Sequence, residues 1–278
     1  MKQINKYIIE RLHINKDIKS YNYNYYPKTR GELYELVNKL IKERGNEANL
    51  NDIDTSEITD MYELFYESEF NGDISEWNVS NVENMTDMFS MSKFNGDISK
   101  WDVSKVEDMR YMFYGSEFRC ENGDISNWDV SNVKNMKYMF EYSKFTGNIS
   151  NWDVSNVENM RHMFAYSKFN GDISNWDVSN VKIMYSMFEH SEFTGKNGDI
   201  SNWDVSNVKD MRYMFDNSKF NGDISKWNVS KVKDMRYMFY ASSFNGDISN
   251  WNVSNVKHMY HIFDNSPLEK NPPKWYKE

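Results

Sequence analysis

The residues best placed for chemistry are acidic and imidazole side chains that come round at fixed intervals. Asp73, Asp97, Asp124, Asp172, Asp199, Asp223 and Asp247 each follow a glycine. In a periodic fold they would form a column of carboxylates, and calcium-binding β-rolls also place Asp after Gly. Those rolls use a period of about nine residues and paired ligands from adjacent turns. Here each copy gives one carboxylate, and Asn148 replaces it without other change. The pattern favours Asx side chains that accept turn amides over a calcium site. The histidines are His13, His162, His190, His258 and His261. His258 and His261 stand three apart, with no carboxylate or cysteine partner at ligand spacing. No nucleophile, metal or phosphate signature accompanies them, so the sequence predicts neither catalysis nor a cofactor.

Whatever these residues do, a repeat must position them. Trp77, Trp101, Trp128, Trp152, Trp176, Trp203, Trp227, Trp251 and Trp275 fall 24 residues apart, stretched to 27 at 101→128 and 176→203. Between them one phrase recurs, Phe-Asn-Gly-Asp-Ile-Ser-x-Trp-Asp-Val-Ser-Asn-Val-x-x-Met-x-x-Met-Phe-x-x-Ser-x-Phe. A fixed period in this range predicts an α/β solenoid of nine strand–helix coils, each about 24 residues long. Counting each coil from its Trp as position 0, Trp101 and Val103 alternate with Asp102 as in a strand with Asp outward. Val106, Met109, Phe113 and Ser116 follow with the spacing of a helix face. Ser80-Asn-Val-Glu83, Ser104-Lys-Val-Glu107 and Ser155-Asn-Val-Glu158 read as capping boxes for those helices. Asn-Gly pairs such as Asn95-Gly96 would supply positive φ for the return turn. Stacked strands would then make a parallel sheet on the concave side of a curved stack.

The first coil is degenerate, with Ile53 where Trp belongs, and the last ends Asn271-Pro272-Pro273-Lys274-Trp275. Prolines there would blunt an open strand edge. Residues 1–50 do not repeat. Ile4, Ile8 and Leu12 suggest one short helix, and Thr29-Arg-Gly-Glu32 starts a second that carries Leu33, Leu36, Val37, Leu40 and Ile41 and stops at Gly45. The expected organisation is a helical N-terminal cap over 1–50, the repeats over 51–275, and a tail at 276–278.

A formal net charge of −9 opposes broad phosphate neutralisation, so nucleic acid is not an expected partner. Cys120 is the single cysteine and allows no internal disulfide. Met1 to Arg11 lacks the apolar core of a secretory leader, and no stretch approaches the roughly 18–20 apolar residues of a transmembrane helix. Synthesis in a cytoplasm is the expectation.

Two surfaces are candidates for a partner. The first is the convex helix face, with Tyr111, Tyr138, Tyr142, Tyr166, Tyr213 and Tyr237 beside Arg110, Arg161, Arg212 and Arg236. Exposed Tyr and Arg are enriched at interface hot spots. The plainer reading is that neighbouring helices share these rings across their grooves. The second is the concave sheet, with Asp102, Asp129, Asp153, Asp177 and Asp204, where a monotonous acidic row suits a solvated hydrogen-bonding ladder or a periodic ligand. Insertions at Arg119-Cys120-Glu121 and Thr194-Gly195-Lys196 enlarge two turns.

The phrase Phe94-Asn-Gly-Asp-Ile-Ser-Lys-Trp-Asp-Val-Ser-Lys-Val-Glu-Asp-Met-Arg-Tyr-Met-Phe113 resembles the repeat of the BspA-type leucine-rich-repeat surface proteins. It is most similar to the branch with Trp-Asp-Val-Ser and Met-x-x-Met-Phe, a domain of unknown function. The resemblance spans about 53–275. It implies a leucine-rich-repeat-like right-handed coil, protein binding, adhesion and surface or virion display, and it brings no catalytic or cofactor residues. The expected function is a non-catalytic scaffold that binds a protein partner. The alternative is a structural building block that self-associates or docks through the end of its stack.

Overall fold

The computed structural model describes residues 23–277, and in it the repeats lie one upon the next without being strands and helices. Among the described residues there is one α-helix, α1 (Arg30–Arg44), and one short 3-10 turn, Pro267–Glu269. No sheet forms. Pairing between copies is reduced to single-residue parallel bridges such as Asp108↔Asn135 and Asn135↔Asn159. The expected α/β solenoid is contradicted, and with it go the concave sheet and the convex row of helices.

The segment expected to be helical shows why. Met109, Tyr111, Phe113 and Gly115 donate their N–H groups to the carbonyls of Asn135, Lys137, Met139 and Glu141 in the next copy, at 2.7–3.2 Å. The amides between them, on Met112, Tyr114 and Ser116, turn back to Met109, Tyr111 and Phe113. An α-helix would return every amide four residues back. Here every second amide leaves its own copy, and overlapping three-residue turns replace the helix. This path needs left-handed backbone at positions 10 and 14, as at Tyr111 (φ 55°) and Gly115 (φ 58°). The same two positions have positive φ in every copy, from Glu63 and Glu67 to His261 and Asn265. A non-glycine residue there costs roughly 1–2 kcal/mol, a strain that the ladder above and below must hold.

Each copy presents a thin slice of core to the next. Trp152, Val154, Val157, Met160, Met163, Phe164, Phe169 and Ile173 are all buried, while Asp153 and Arg161 are exposed. Phe at position 12 stacks on its counterpart throughout, from Phe65–Phe89 to Phe239–Phe263, with centroids 5.5–6.1 Å apart. The buried indole N–H must find an acceptor. In each copy it donates to an apolar residue's carbonyl 27 or 30 residues earlier, as Trp101 does to Ile74 and Trp128 to Ile98. This bond keys one copy to the register of the one before.

Polar residues fix the corners. The Trp-Asp-Val segment buries Trp and Val, but its Asp closes an Asx turn, with Ser104 N–H donating to Asp102 at 3.1 Å. The three supposed capping serines therefore give their amides to Asn78, Asp102 and Asp153 instead of starting helices. Gly96 and its equivalents do not have positive φ. Glycine is needed there for room, because a Cβ on Gly96 would lie 2.9 Å from the Phe94 ring.

The helix α1 is as its sequence suggested. Thr29 Oγ1 accepts from Glu32 N–H, Gly45 ends it, and Leu33, Val37 and Leu40 join the common core. Arg30 Nε donates to the Tyr62 carbonyl of the first copy at 2.8 Å. The helix expected around Ile4, Ile8 and Leu12 lies outside the described residues. At the other end Trp275 still donates to Ile248, at 2.8 Å, past the Pro272-Pro273 pair.

Candidate functional site

Left-handed backbone at positions 10 and 14 brings corresponding side chains into line, and most of those at position 10 are aromatic. Tyr111 stacks on Tyr138 with centroids 4.4 Å apart, and Tyr138 on His162 at 4.7 Å. Position 10 of the next copy is Ser186, and Tyr185 fills the gap, 5.0 Å from His162 and 5.7 Å from Tyr213. Tyr213, Tyr237 and His261 then continue the row at 4.8 and 4.9 Å. A shorter second row at position 14 runs Tyr142, Tyr166, His190 at 4.5 and 4.6 Å. The faces of these rings are largely used by their neighbours. Part of their edges remains for solvent, and Tyr142 is 50% exposed.

The four candidate arginines divide into two kinds. Arg110, Arg212 and Arg236 each fold back on the aspartate two residues earlier, Asp108, Asp210 and Asp234. Arg161 has Asn159 at that place and no carboxylate partner among the described residues. Its guanidinium lies between two rings, 5.5 Å from the centroid of Tyr138 and 4.6 Å from that of Tyr185. A weakly hydrated cation between aromatic faces is held without being neutralised.

Behind the rings sits an acidic row at position 13 that the sequence did not single out. Glu141 meets His162 Nδ1 at 3.0 Å, and the Tyr166 hydroxyl donates to Glu189 at 2.9 Å. Asp216, 7% exposed, accepts from Asn217 at 2.7 Å. Burial pushes its carboxyl up to about 7, and Glu189 adds repulsion. Burial also raises the phenols: Tyr111, beside Tyr138, goes to about 12, and Tyr166 rises further with the help of its Glu189 bond. The Tyr111 and Tyr166 phenols are thus neutral hydrogen-bonding groups across the ordinary pH range. Glu141 and His162 form no relay to a hydroxyl nucleophile through Ser186. That Oγ is fully buried and has no hydrogen-bond partner.

The other candidates lie apart from this arrangement. Asp102, Asp129, Asp153, Asp177 and Asp204 are exposed, and each accepts the amide of the serine two residues on, at 3.0–3.1 Å. The aspartates after glycine do the same, Asp97 for Ser99 at 2.9 Å and Asp172 for Ser174 at 2.9 Å, as does Asn148 for Ser150 at 3.0 Å. These carboxylates face their own turns. His261 does have an acidic neighbour, Asp264, at 2.7 Å. The inserted turns repeat one device, with Asn122 and Asn197 reaching back to the carbonyls of Asn95 and Asn170. Among the described residues no group of three or more His, Cys, Asp or Glu side chains converges as a metal would require.

These features define a stack of turn repeats with a ring column along one side and, among the described residues, no helix long and apolar enough to cross a membrane. The family described as "Mycoplasma protein of unknown function, DUF285" matches residues 32–140, 116–197 and 191–275. The chain belongs to this BspA-like family. No curated protein and no solved structure matches it.

Proposed function

We propose that the chain is a non-catalytic repeat scaffold that binds a protein partner along the ring column, in surface recognition or adhesion. This reading extends family membership to the branch marked by Trp-Asp-Val-Ser and Met-x-x-Met-Phe, whose members suggest that role. One observation carries it: partly exposed Tyr and His rings follow one another across seven copies, Tyr185 bridging the copy that has Ser186, with the Arg161 guanidinium set among them. Tyrosine edges and arginine are the groups most often found at the centre of protein interfaces. The exposed aspartates support the reading less, because one carboxylate oxygen of each is already engaged by its own turn.

Replacing Tyr138 and Tyr142 together by Ala tests this. Truncated hot-spot aromatics typically cost about 2 kcal/mol or more of affinity. The matched control is Asp129→Ala with Asp153→Ala. Partner binding should fall in the tyrosine variant and persist in the aspartate variant. The opposite result would move the working surface to the aspartates.

A further inference from the structure

Position 7 follows a rule along the stack that two adjacent copies break. Its side-chain oxygen accepts the amide of position 9, as Asp108 does from Arg110 at 3.1 Å and Asn135 from Lys137 at 3.2 Å. That turn needs one oxygen, so Asp and Asn serve it equally. They differ in the second side-chain atom. Where position 9 is an arginine behind an aspartate, the carboxylate also takes the guanidinium. Asp108 holds Arg110, Asp210 holds Arg212 and Asp234 holds Arg236, at 2.6–2.8 Å. Asn84 accompanies the uncharged Thr86. Lys137 and Arg161 are cations too, yet Asn135 and Asn159 stand where the aspartate would be.

Two consecutive copies thus set one cation beside another without the carboxylate that comes with it elsewhere. Like charges directly opposite one another on paired rungs are destabilising. Arg212 and Arg236 are neighbours as well, but Asp210 and Asp234 lie among them, and Arg212 reaches Asp234 at 3.7 Å besides its own aspartate. Among the described residues neither Lys137 nor Arg161 meets a carboxylate at ion-pair distance. The repulsion becomes an attraction only when an anion arrives from outside the chain.

The surroundings fit a carboxylate. Asn135 and Lys137 of one copy and Asn156 and Asn159 of the next line an open cleft. Lys134 and Glu158 line it too, and they are engaged by Glu107 and Lys182, at 2.6 and 2.7 Å. The Nδ2 groups of Asn135 and Asn159 have no acceptor among the described residues. Asn84, at the same position, gives its Nδ2 to the Asp60 carboxylate at 3.0 Å, so this position suits such a bond. In the following copy positions 7 and 9 are Ile183 and Tyr185, both half-buried, and Arg161 lies 4.6 Å from the Tyr185 centroid. Tyr138 and His162 of the ring column follow Lys137 and Arg161 directly in the chain.

We propose that this cleft receives an acidic segment of the partner protein, with carboxylates on Lys137, Arg161 and the two Nδ2 groups and an apolar side chain on Ile183 and Tyr185. It rests on the ring column as the partner's surface and adds the partner's charge. The two asparagines are then specificity-determining residues, because an aspartate at either place would close the cation to the partner.

The test pans a phage-displayed library of random peptides, about twelve residues long, on the full chain at low salt, and titrates the enriched peptides as fluorescein conjugates. Enriched sequences should carry Asp or Glu beside an apolar residue. Asn135→Asp with Asn159→Asp supplies the missing carboxylates within the chain and keeps both turn acceptors. It should melt no lower than the parent and bind the peptides roughly tenfold more weakly, a difference that shrinks as salt rises. Asn228→Asp with Asn252→Asp adds the same charge where Asp102 and its equivalents stand in other copies, and it should leave binding unchanged. Enrichment without acidic bias, a loss no greater than in this control, or tighter binding of a single-stranded DNA oligonucleotide would overturn the proposal. Tyr138→Ala with Tyr142→Ala separates the two readings. Peptides weakened by the asparagine variant alone uphold the acidic-segment site and remove the ring column from it. Peptides weakened by the tyrosine variant alone uphold the column and overturn this inference.

Discussion

The indole of Trp152 donates to the carbonyl of Ile125, 3.0 Å away and 27 residues earlier in the chain. One side chain thus fills a core slice and satisfies a backbone oxygen of the preceding copy. Trp152→Ala should cost about 3–5 kcal/mol through the cavity it leaves. Trp152→Phe keeps most of the volume and should still cost about 1 kcal/mol, because the Ile125 oxygen loses one of its two donors and keeps the Trp128 amide. Urea denaturation measures both. A Phe variant as stable as the parent would show that the register bond does not contribute.

Backbone strain at position 10 gives a substitution that should stabilise. Ser186 has φ 54°, is fully buried, and its hydroxyl has no hydrogen-bond partner. Ser186→Gly relieves roughly 1–2 kcal/mol of left-handed strain and removes an unsatisfied group, against about 0.5–1 kcal/mol of added chain entropy in the unfolded state. The net expectation is a gain of about 1 kcal/mol in the same denaturation experiment. A loss of that size would mean that the ladder tolerates side chains there without strain.

The same positions explain what could and could not be read from the chain. Burial was legible, since Trp152, Met160 and Phe164 recur because each fills the same slice of core. The helix α1 was legible from Thr29, Glu32 and Gly45, a local signal that needs no partner. The supposed repeat helices were not. Val106, Met109 and Phe113 have helical spacing, and overlapping turns bury the same three residues. The discriminating signal was faint: Gly115, Asn217 and Asn265 at position 14 prefer left-handed backbone, but Tyr142, Tyr166 and Ala241 hide the pattern. The tyrosines of the candidate site were visible as a periodic set. Tyr185, Glu141 and Asp216 were not, because their roles depend on which residue the next copy places beside them.

Asp216 should make stability depend on pH. Its carboxyl titrates near 3.8 when free and is raised to about 7 in the fold by burial. Between about pH 4 and 7 the native state keeps a proton that the unfolded chain has lost, so stability falls as pH rises through this window and levels off above it. Asp216→Asn removes that penalty. It should match the parent near pH 4 and exceed it by about 1 kcal/mol at pH 8, a value discounted for partial solvent access. Thermal melts at the two pH values decide it, and a gap that fails to open as pH rises would contradict the assignment.

Aspartates after glycine should behave as turn acceptors. Asp172→Asn preserves the acceptor for Ser174 and should change stability by under about 0.5 kcal/mol, whereas Asp172→Ala should cost about 1 kcal/mol. Millimolar calcium should leave the melting temperature unchanged. A rise of several degrees would reveal a cation bound by the native state.

The most direct test of the ring column as a binding surface is site-specific photocrosslinking in the cells that make the protein. A benzophenone amino acid at Tyr142 should trap one defined partner protein. One at Asp129 should trap none, and Tyr138→Ala beside the Tyr142 probe should abolish the adduct. A partner trapped from Asp129 but not from Tyr142, or an adduct indifferent to Tyr138→Ala, would contradict the account.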